Sequence, residues 1–338
     1  MPRPNPLLVK SFTFDSKGTQ LKLTANQYTT QGCDNEGLTL LFAHCVGSHK
    51  EQWEPTISRI VQLQASKRRP DRVREAWAFD WQNHGDAAVL NEGILKNLED
   101  SISAGQWALA IEDFVNSSHL HGHRVVAIGH SAGTGAIMLT MKKFPIKNPP
   151  YKAVILVEPT MLSQELFDAH AEERYAFANA TKKFTLDRRD TWPSKKAALE
   201  WLGKRAPWKS WDPRVLRLYA EYGLREVKTP DGMVAALKCD KRQEGLTYPH
   251  FKSYIEATAL FRERCRAVPI HVIFGARNDF VAAYIQESLI DTSQGRIPAS
   301  VTRIPDAGHM IVQEKPDALA HAICDKLTFD PQQPRPRM

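Results

Sequence analysis

The sequence predicts an α/β protein, an eight-stranded and mostly parallel sheet flanked by helices, with a helical cap inserted in its second half. Three observations carry that prediction. Short runs rich in branched residues recur with helical segments between many of them, the alternation of a parallel sheet covered by helices. The alternation stops after Val157, and roughly residues 160–245 read as helical or irregular with no convincing strand. Finally, Gly129-His130-Ser131-Ala132-Gly133 joins an apolar strand to a helical segment through a turn made almost wholly of small residues.

In chain order the expected strands are Leu7 to Phe14, Gln20 to Gln27, Leu38 to Ala43, Ala76 to Asp80, Arg124 to Ile128, Ala153 to Val157, Ile270 to Phe274 and Val301 to Ile304. Helices are expected at Glu51 to Leu63, Ala104 to Asn116, Gly133 to Lys143, Tyr254 to Cys265, Ala282 to Ile290 and Lys315 to Leu327. The last starts near Pro316, where proline suits a first helical turn. The chain therefore divides into a core of residues 1–159 and 246–330, a cap of 160–245 and an exposed, proline-rich tail of 331–338. Four of the eight tryptophans, Trp192, Trp201, Trp208 and Trp211, fall in the cap, with Phe167, Tyr175, Phe177 and Phe184 before them. They suit either the walls of an apolar substrate pocket or a small core of the cap itself.

Composition excludes several classes of function. The chain has 338 residues, 42% hydrophobic and 25% charged, with 45 Lys and Arg against 38 Asp and Glu, which is globular rather than disordered. Cys33, Cys45, Cys239, Cys265 and Cys324 show no CxxC spacing and fit free thiols in a reducing interior rather than a disulfide framework. Prolines interrupt Met1 to Lys10 where a secretory signal needs an apolar run. No window reaches the ~18 continuous apolar residues of a membrane span, so an integral membrane protein is not expected. The basic excess is diffuse, and its densest runs, Lys67-Arg68-Arg69 and Lys142-Lys143, suit solvated loops and helix ends rather than a nucleic-acid partner. No GxGxxG or P-loop pattern joins a strand to a helix, and no cofactor is expected. His119, His121 and His123 alternate as metal ligands sometimes do, but no acidic or Cys partner is near in sequence, and no metal is expected.

The chemistry centres on Ser131. A G-x-S-x-G turn between strand and helix is a nucleophile elbow: a sharp turn strains the serine backbone and leaves no room for side chains beside it. A serine hydroxyl is a weak nucleophile and needs a general base, which in turn needs a carboxylate to orient it. His309 follows the last strand in Pro305-Asp306-Ala307-Gly308-His309 and is the expected base. Asp279 follows the seventh strand, where α/β sheets place functional groups, and is the expected acid. Glu158, at the end of the sixth strand, is the competing acid and Asp306 a third candidate, while Asp279 also suits the cap of the helix after it. For the oxyanion, one donor is expected from the Ala132 N–H and the other from the Val46 N–H in the loop after the third strand. In that loop His44 suits a turn-holding hydrogen bond.

These features in this order, with Asp80-Trp81-Gln82-Asn83-His84-Gly85-Asp86 between them, resemble the α/β-hydrolase superfamily over about Phe12 to Leu327. More narrowly, His44-x-x-Gly47-x-His49-Lys50-Glu51-x-Trp53 resembles fungal lipase-like serine hydrolases of peroxisomes, including those associated with toxin biosynthesis. The departure is Cys45, where most α/β-hydrolases carry glycine after the loop histidine, although the narrower group tolerates a small residue there. The resemblance implies a serine esterase or thioesterase acting on a small apolar ester or thioester: lipid-like, acyl-CoA or a secondary metabolite. C–C hydrolysis, lyase or acyl-transfer chemistry on the same triad is the alternative, and a non-catalytic binding protein a further one. Pro336-Arg337-Met338 fits a variant of the peroxisomal Ser-Lys-Leu signal, read by an import receptor. A peroxisomal location is expected on that basis, with the cytoplasm as the alternative.

Overall fold

The structure is a computed structural model that describes residues 7–31, 35–65, 67 and 72–328. Cys33, Arg68, Arg69 and the tail carrying Pro336, Arg337 and Met338 lie outside the described residues. The strands are β1 (Leu8–Asp15), β2 (Lys22–Thr29), β3 (Leu38–Ala43), β4 (Val73–Phe79), β5 (Arg124–His130), β6 (Ala153–Val157), β7 (Thr191–Trp192), β8 (Leu224–Thr229), β9 (Gly232–Leu237), β10 (Ile270–Gly275) and β11 (Ser300–Ile304). Eight of them form one sheet in the order β1-β2-β4-β3-β5-β6-β10-β11. β1 pairs antiparallel with β2, and β2 antiparallel with β4, while every pair from β4 to β11 is parallel.

Every residue of β3 and β6 is buried, because helices cover both faces of the sheet. Such strands read as continuous apolar runs rather than as alternation. β1 is the mostly exposed edge and keeps polar residues such as Lys10 and Ser11. On one face, helices Ala104–Val115 and Phe251–Arg264 pack against Ala132–Thr140 over Trp77, Phe79, Trp107 and Phe274. On the other, Glu54–Gln64 packs against Pro316–Cys324 over Phe42, Trp53, Ile128 and Ile155. Helix Gly85–Leu95 is absent from the sequence expectation, since Asn91 and Gly93 blur its periodicity. Tertiary bonds hold it: the Asn91 side chain donates to the carbonyls of Lys22 and Gln82 and accepts from the Lys22 N–H.

The segment between β6 and β10 corrects one expectation. It is mainly helical, with helices at Gln164–Ala169, Ala171–Asp187, Lys195–Leu202 and Pro213–Tyr222, but it also contains a three-stranded antiparallel sheet of order β7-β9-β8. The β8–β9 hairpin turns at Thr229-Pro230-Asp231-Gly232, where Gly232 has φ 126. A Pro-Asp-Gly turn is the chemistry that closes a hairpin.

The strand order positions the site. From β3 the chain steps outward to β4 and returns to β5 on the opposite side of β3. Loops leaving the carboxyl ends of β3 and β5 therefore diverge, and a crevice opens between them.

Candidate active site

Ser131 occupies the turn between β5 and helix Ala132–Thr140 with φ 52 and ψ −115, backbone angles that L-residues rarely adopt. Its N–H donates to the Val157 carbonyl at 2.9 Å, and its own carbonyl accepts from the Thr134 N–H at 2.9 Å. Both flanking glycines are sterically required. A Cβ on Gly129 would stand 2.4 Å from the Gly133 carbonyl oxygen, and a Cβ on Gly133 would stand 2.4 Å from the Ala43 carbonyl oxygen. The elbow thus wedges against β3 as well as β5.

The Ser131 Oγ–H points to His309 Nε2 at 2.9 Å. On the far side of the ring, His309 Nδ1 lies 3.1 Å from Glu158 Oε2, so an Nδ1–H donates to that carboxylate and leaves Nε2 free to accept. The ring also stacks on Phe280 with centroids 4.5 Å apart. Glu158 directly follows β6 with φ 50 and is 1% exposed. Its N–H donates to the Ile273 carbonyl at 2.8 Å, and its Oε1 accepts from the Gly275 N–H at 2.5 Å.

Asp279, the acid expected from chain order, stands elsewhere. Its Oδ1 accepts from the His309 backbone N–H at 2.8 Å, and its Oδ2 lies 3.3 Å from Arg277 Nη2. Arg277 also reaches Glu314 Oε2 at 2.8 Å, and that oxygen accepts from the Gly308 N–H at 3.0 Å. Asp279 therefore clamps the main chain that carries the histidine. The helix Ala283–Ile290 takes Ala282 as its N-cap, so Asp279 does not cap it. Asp306 presents its carbonyl to Arg277.

The loop after β3 carries Val46, which lines the same cavity as Ser131, and among the described residues neither the Val46 nor the Ala132 N–H has an acceptor. The neighbouring Gly47 N–H already donates to His84 Nε2 at 3.0 Å. His44 holds the loop: its Nδ1–H donates to the Cys45 carbonyl at 2.6 Å and its Nε2 accepts from the Trp81 N–H at 3.0 Å. Burial pushes the His44 imidazole down to about 4, which keeps it neutral in this role. His130 is likewise pushed down by burial, to about 3, and its Nε2–H donates to the His309 carbonyl at 2.8 Å.

Beneath the loop, Lys50 is 1% exposed and its Nζ meets Glu51 Oε1 at 2.8 Å, Asp80 Oδ2 at 2.8 Å and Asp86 Oδ2 at 2.7 Å. Burial works against the charged form of Lys50, but the three carboxylates outweigh it and raise the ammonium above its ordinary range. Burial also pushes the Glu51 carboxyl up, and its bonds to His49 and Lys50 pull it down to about 2. This charge cluster was not singled out from sequence, although Lys50, Glu51, Asp80 and Asp86 all stand in the two motifs that carry the family resemblance.

A cavity of about 420 Å³ opens over Ser131, His309, Val46 and Ala132. The aromatic residues of the inserted segment divide between the two roles expected for them. Trp192 and Trp201 pack in a separate small core with Ala198, Leu202 and Val215, whereas Trp208 and Trp211 join that core and also border the cavity. Phe177 and Phe184 line the cavity. Of the three alternating histidines, His119 packs edge-on to Phe12 and Phe14, while His123 Nδ1 bonds Thr39 Oγ1 at 3.0 Å. Among the described residues no helix is long and apolar enough to cross a membrane.

The sequence model of the Alpha/beta hydrolase family matches residues 40–322, most of the chain. A type I acyl-CoA thioesterase of Penicillium roqueforti is 25% identical over 218 residues, a match that covers 62% of this chain and 46% of that protein. The chain thus spans about half the length of that curated relative. Among solved structures, a peroxisomal alpha-beta-hydrolase of Saccharomyces cerevisiae superposes with a TM-score of 0.71 at 19% identity, covering 98% of this chain and 91% of that one. An E-2-(acetamidomethylene)succinate hydrolase superposes with a TM-score of 0.68 at 20% identity, covering 94% and 98% respectively.

Proposed function

The chain belongs to the alpha/beta hydrolase family, and from that premise we propose that it is a serine hydrolase cleaving an apolar carboxylic ester or thioester. The observation that carries this reading is the relay from Ser131 Oγ through His309 to Glu158, with its two links of 2.9 and 3.1 Å. His309 Nε2 takes the Ser131 proton as Oγ attacks the carbonyl, and Glu158 stabilises the imidazolium that forms. The Val46 and Ala132 N–H groups receive the oxyanion. His309 then protonates the leaving alcohol or thiol, and water releases the acyl group by the same relay. Asp279 serves as a positioning residue for the histidine loop.

A cavity of this size suits an acyl chain or an aromatic group. The name of the Penicillium relative supports including acyl-CoA thioesters among the candidates. In this reading residues 160–245 form the cap over a core of 1–159 and 246–330. Peroxisomal import through Pro336-Arg337-Met338 is proposed with it, supported by that tripeptide and by the name of the yeast structure. A fluorescent protein fused ahead of residue 1 is expected in peroxisomes, and to leave them when those three residues are removed.

The test of the chemistry is a screen of p-nitrophenyl esters and acyl-CoAs in ¹⁸O-water with the wild type and Ser131→Ala. Hydrolysis is expected to place one labelled oxygen in the acid and to fall by several orders of magnitude in the variant. Turnover that survives in a folded Ser131→Ala protein overturns the assignment, and an unlabelled acid overturns hydrolysis.

A further inference from the structure

The cavity over Ser131 is not bounded by hydrocarbon alone. Helix Ala171–Asp187 and the residue after it turn Arg174, Phe177, Ala178, Thr181, Thr185 and Arg188 toward it, the spacing of a single helix face. The two arginine side chains are only 9% and 10% exposed. Arg188 donates from Nη1 to Glu244 Oε1 at 2.9 Å and from Nη2 to Glu244 Oε2 at 2.7 Å. Arg174 donates from Nη2 to Glu173 Oε1 at 2.7 Å. The Nε of each is shielded from solvent and has no acceptor among the described residues.

A guanidinium carries five donors, and buried donors in native proteins are almost always matched. Glu244 holds the far edge of Arg188 and fixes its plane where the side chain borders the cavity, and the Nε–H is left without an acceptor among the described residues. The pair also stands beside the oxyanion loop, since Glu244 Oε1 would lie 2.9 Å from a Cβ on Gly47. Val46, Gly47, Arg188 and Glu244 thus border one and the same cavity. A wholly hydrocarbon chain would leave the donor unmatched and buried, which disfavours it.

We propose that Arg188 is a specificity-determining residue that receives a hydrogen-bond-accepting oxygen, carboxylate or carbonyl, carried by the substrate's buried chain. The preferred ester or thioester is then an oxygenated one rather than a plain fatty acyl compound. This inference rests on the hydrolase reading above for its chemistry, but not for its binding.

The experiment compares three eight-carbon p-nitrophenyl esters: octanoate, 7-oxooctanoate and the mono-ester of suberic acid. In the wild type the better of the two oxygenated esters is expected to exceed octanoate in kcat/KM by about 10- to 100-fold, the range of a hydrogen bond to a charged donor. The ketone and carboxylate arms distinguish the two sources of the oxygen. Arg188→Met alone strands the buried Glu244 carboxylate, so the test variant is Arg188→Met with Glu244→Gln, with Glu244→Gln alone as its control. The ratio is expected to collapse toward one in the double variant and to persist in the control. The same preference is read without turnover from calorimetric binding of the matching methyl esters to Ser131→Ala. Hydrolysis of all three esters alike, or a ratio unmoved by the double variant, overturns the role of Arg188. Absence of hydrolysis with selective binding of an oxygenated ester would instead overturn the hydrolase reading and leave Arg188 as proposed.

Discussion

Replacing Glu158 by Gln and Asp279 by Asn separates the two carboxylates that chain order alone leaves in competition. Glu158→Gln keeps the side-chain shape but removes a negative charge 3.1 Å from His309 Nδ1. Once Ser131 has given up its proton, imidazolium and carboxylate centres ~4 Å apart attract by about 4 kcal/mol at an effective dielectric constant of ~20. At ~1.4 kcal/mol per factor of ten, kcat/KM falls about 10³-fold, and a Gln that favours the wrong ring tautomer takes the loss toward ~10⁴-fold. Asp279→Asn retains an oxygen to accept the His309 N–H, now bonded at 2.8 Å, and removes a charge whose side chain is 43% exposed. The loss there is weakening of one hydrogen bond, about 1 kcal/mol or some fivefold. The assay is initial-rate hydrolysis of p-nitrophenyl butyrate by the three proteins, with circular dichroism to establish that each is folded. A loss in Asp279→Asn as large as that in Glu158→Gln would refute the reasoning.

Three further outcomes follow from the geometry. Lys50→Met leaves Glu51, Asp80 and Asp86 facing one another around an apolar side chain, and a loss of about 3–5 kcal/mol in urea unfolding is expected; a change below ~1 kcal/mol would show that the cluster tolerates the missing ammonium. Gly133→Ala drives a Cβ to 2.4 Å from the Ala43 carbonyl oxygen, so the melting temperature should drop, with a cost of about 1–3 kcal/mol or more, and an unchanged melt would contradict the wedge between elbow and β3. Glu54 is the pH-sensitive case, because burial first and the Glu51 charge second push its carboxyl up to about 7 from an ordinary 4.5. The folded chain then holds that proton more tightly than the unfolded one, so stability declines as pH rises from about 4.5 to about 7 and is level above. Glu54→Gln removes this slope and should be more stable than wild type at pH 8 by about 1–2 kcal/mol after allowance for partial exposure; chemical denaturation at pH 5 and pH 8 checks it, and equal differences at the two pH values would count against it.

The strands of the core sheet were legible because burial on both faces forces continuous branched runs such as Leu38–Ala43 and Ala153–Val157. The elbow was legible because its geometry dictates residue size at Gly129 and Gly133. What chain order could not give was which carboxylate meets the imidazole. Asp279 stands past the end of β10, where its side chain reaches the His309 main chain, whereas Glu158 leaves β6 in a tight turn with φ 50 and has the longer side chain needed to span to the ring. The β8–β9 hairpin did have a local signal, the Pro230-Asp231-Gly232 turn between Leu224–Thr229 and Gly232–Leu237, but it was masked by the helical character of the sequence around it. The Arg188–Glu244 pair had no signal, because its partners are 56 residues apart and meet only through the packing of the inserted segment.

The most direct test of the account is reaction of the wild type and Ser131→Ala with a fluorophosphonate probe, followed by mass spectrometry of the labelled peptide. The account predicts a single adduct, on Ser131, and none in the variant. A folded wild-type protein that stays unlabelled, or an adduct that persists in Ser131→Ala, would contradict the claim that the relay to Glu158 activates this serine.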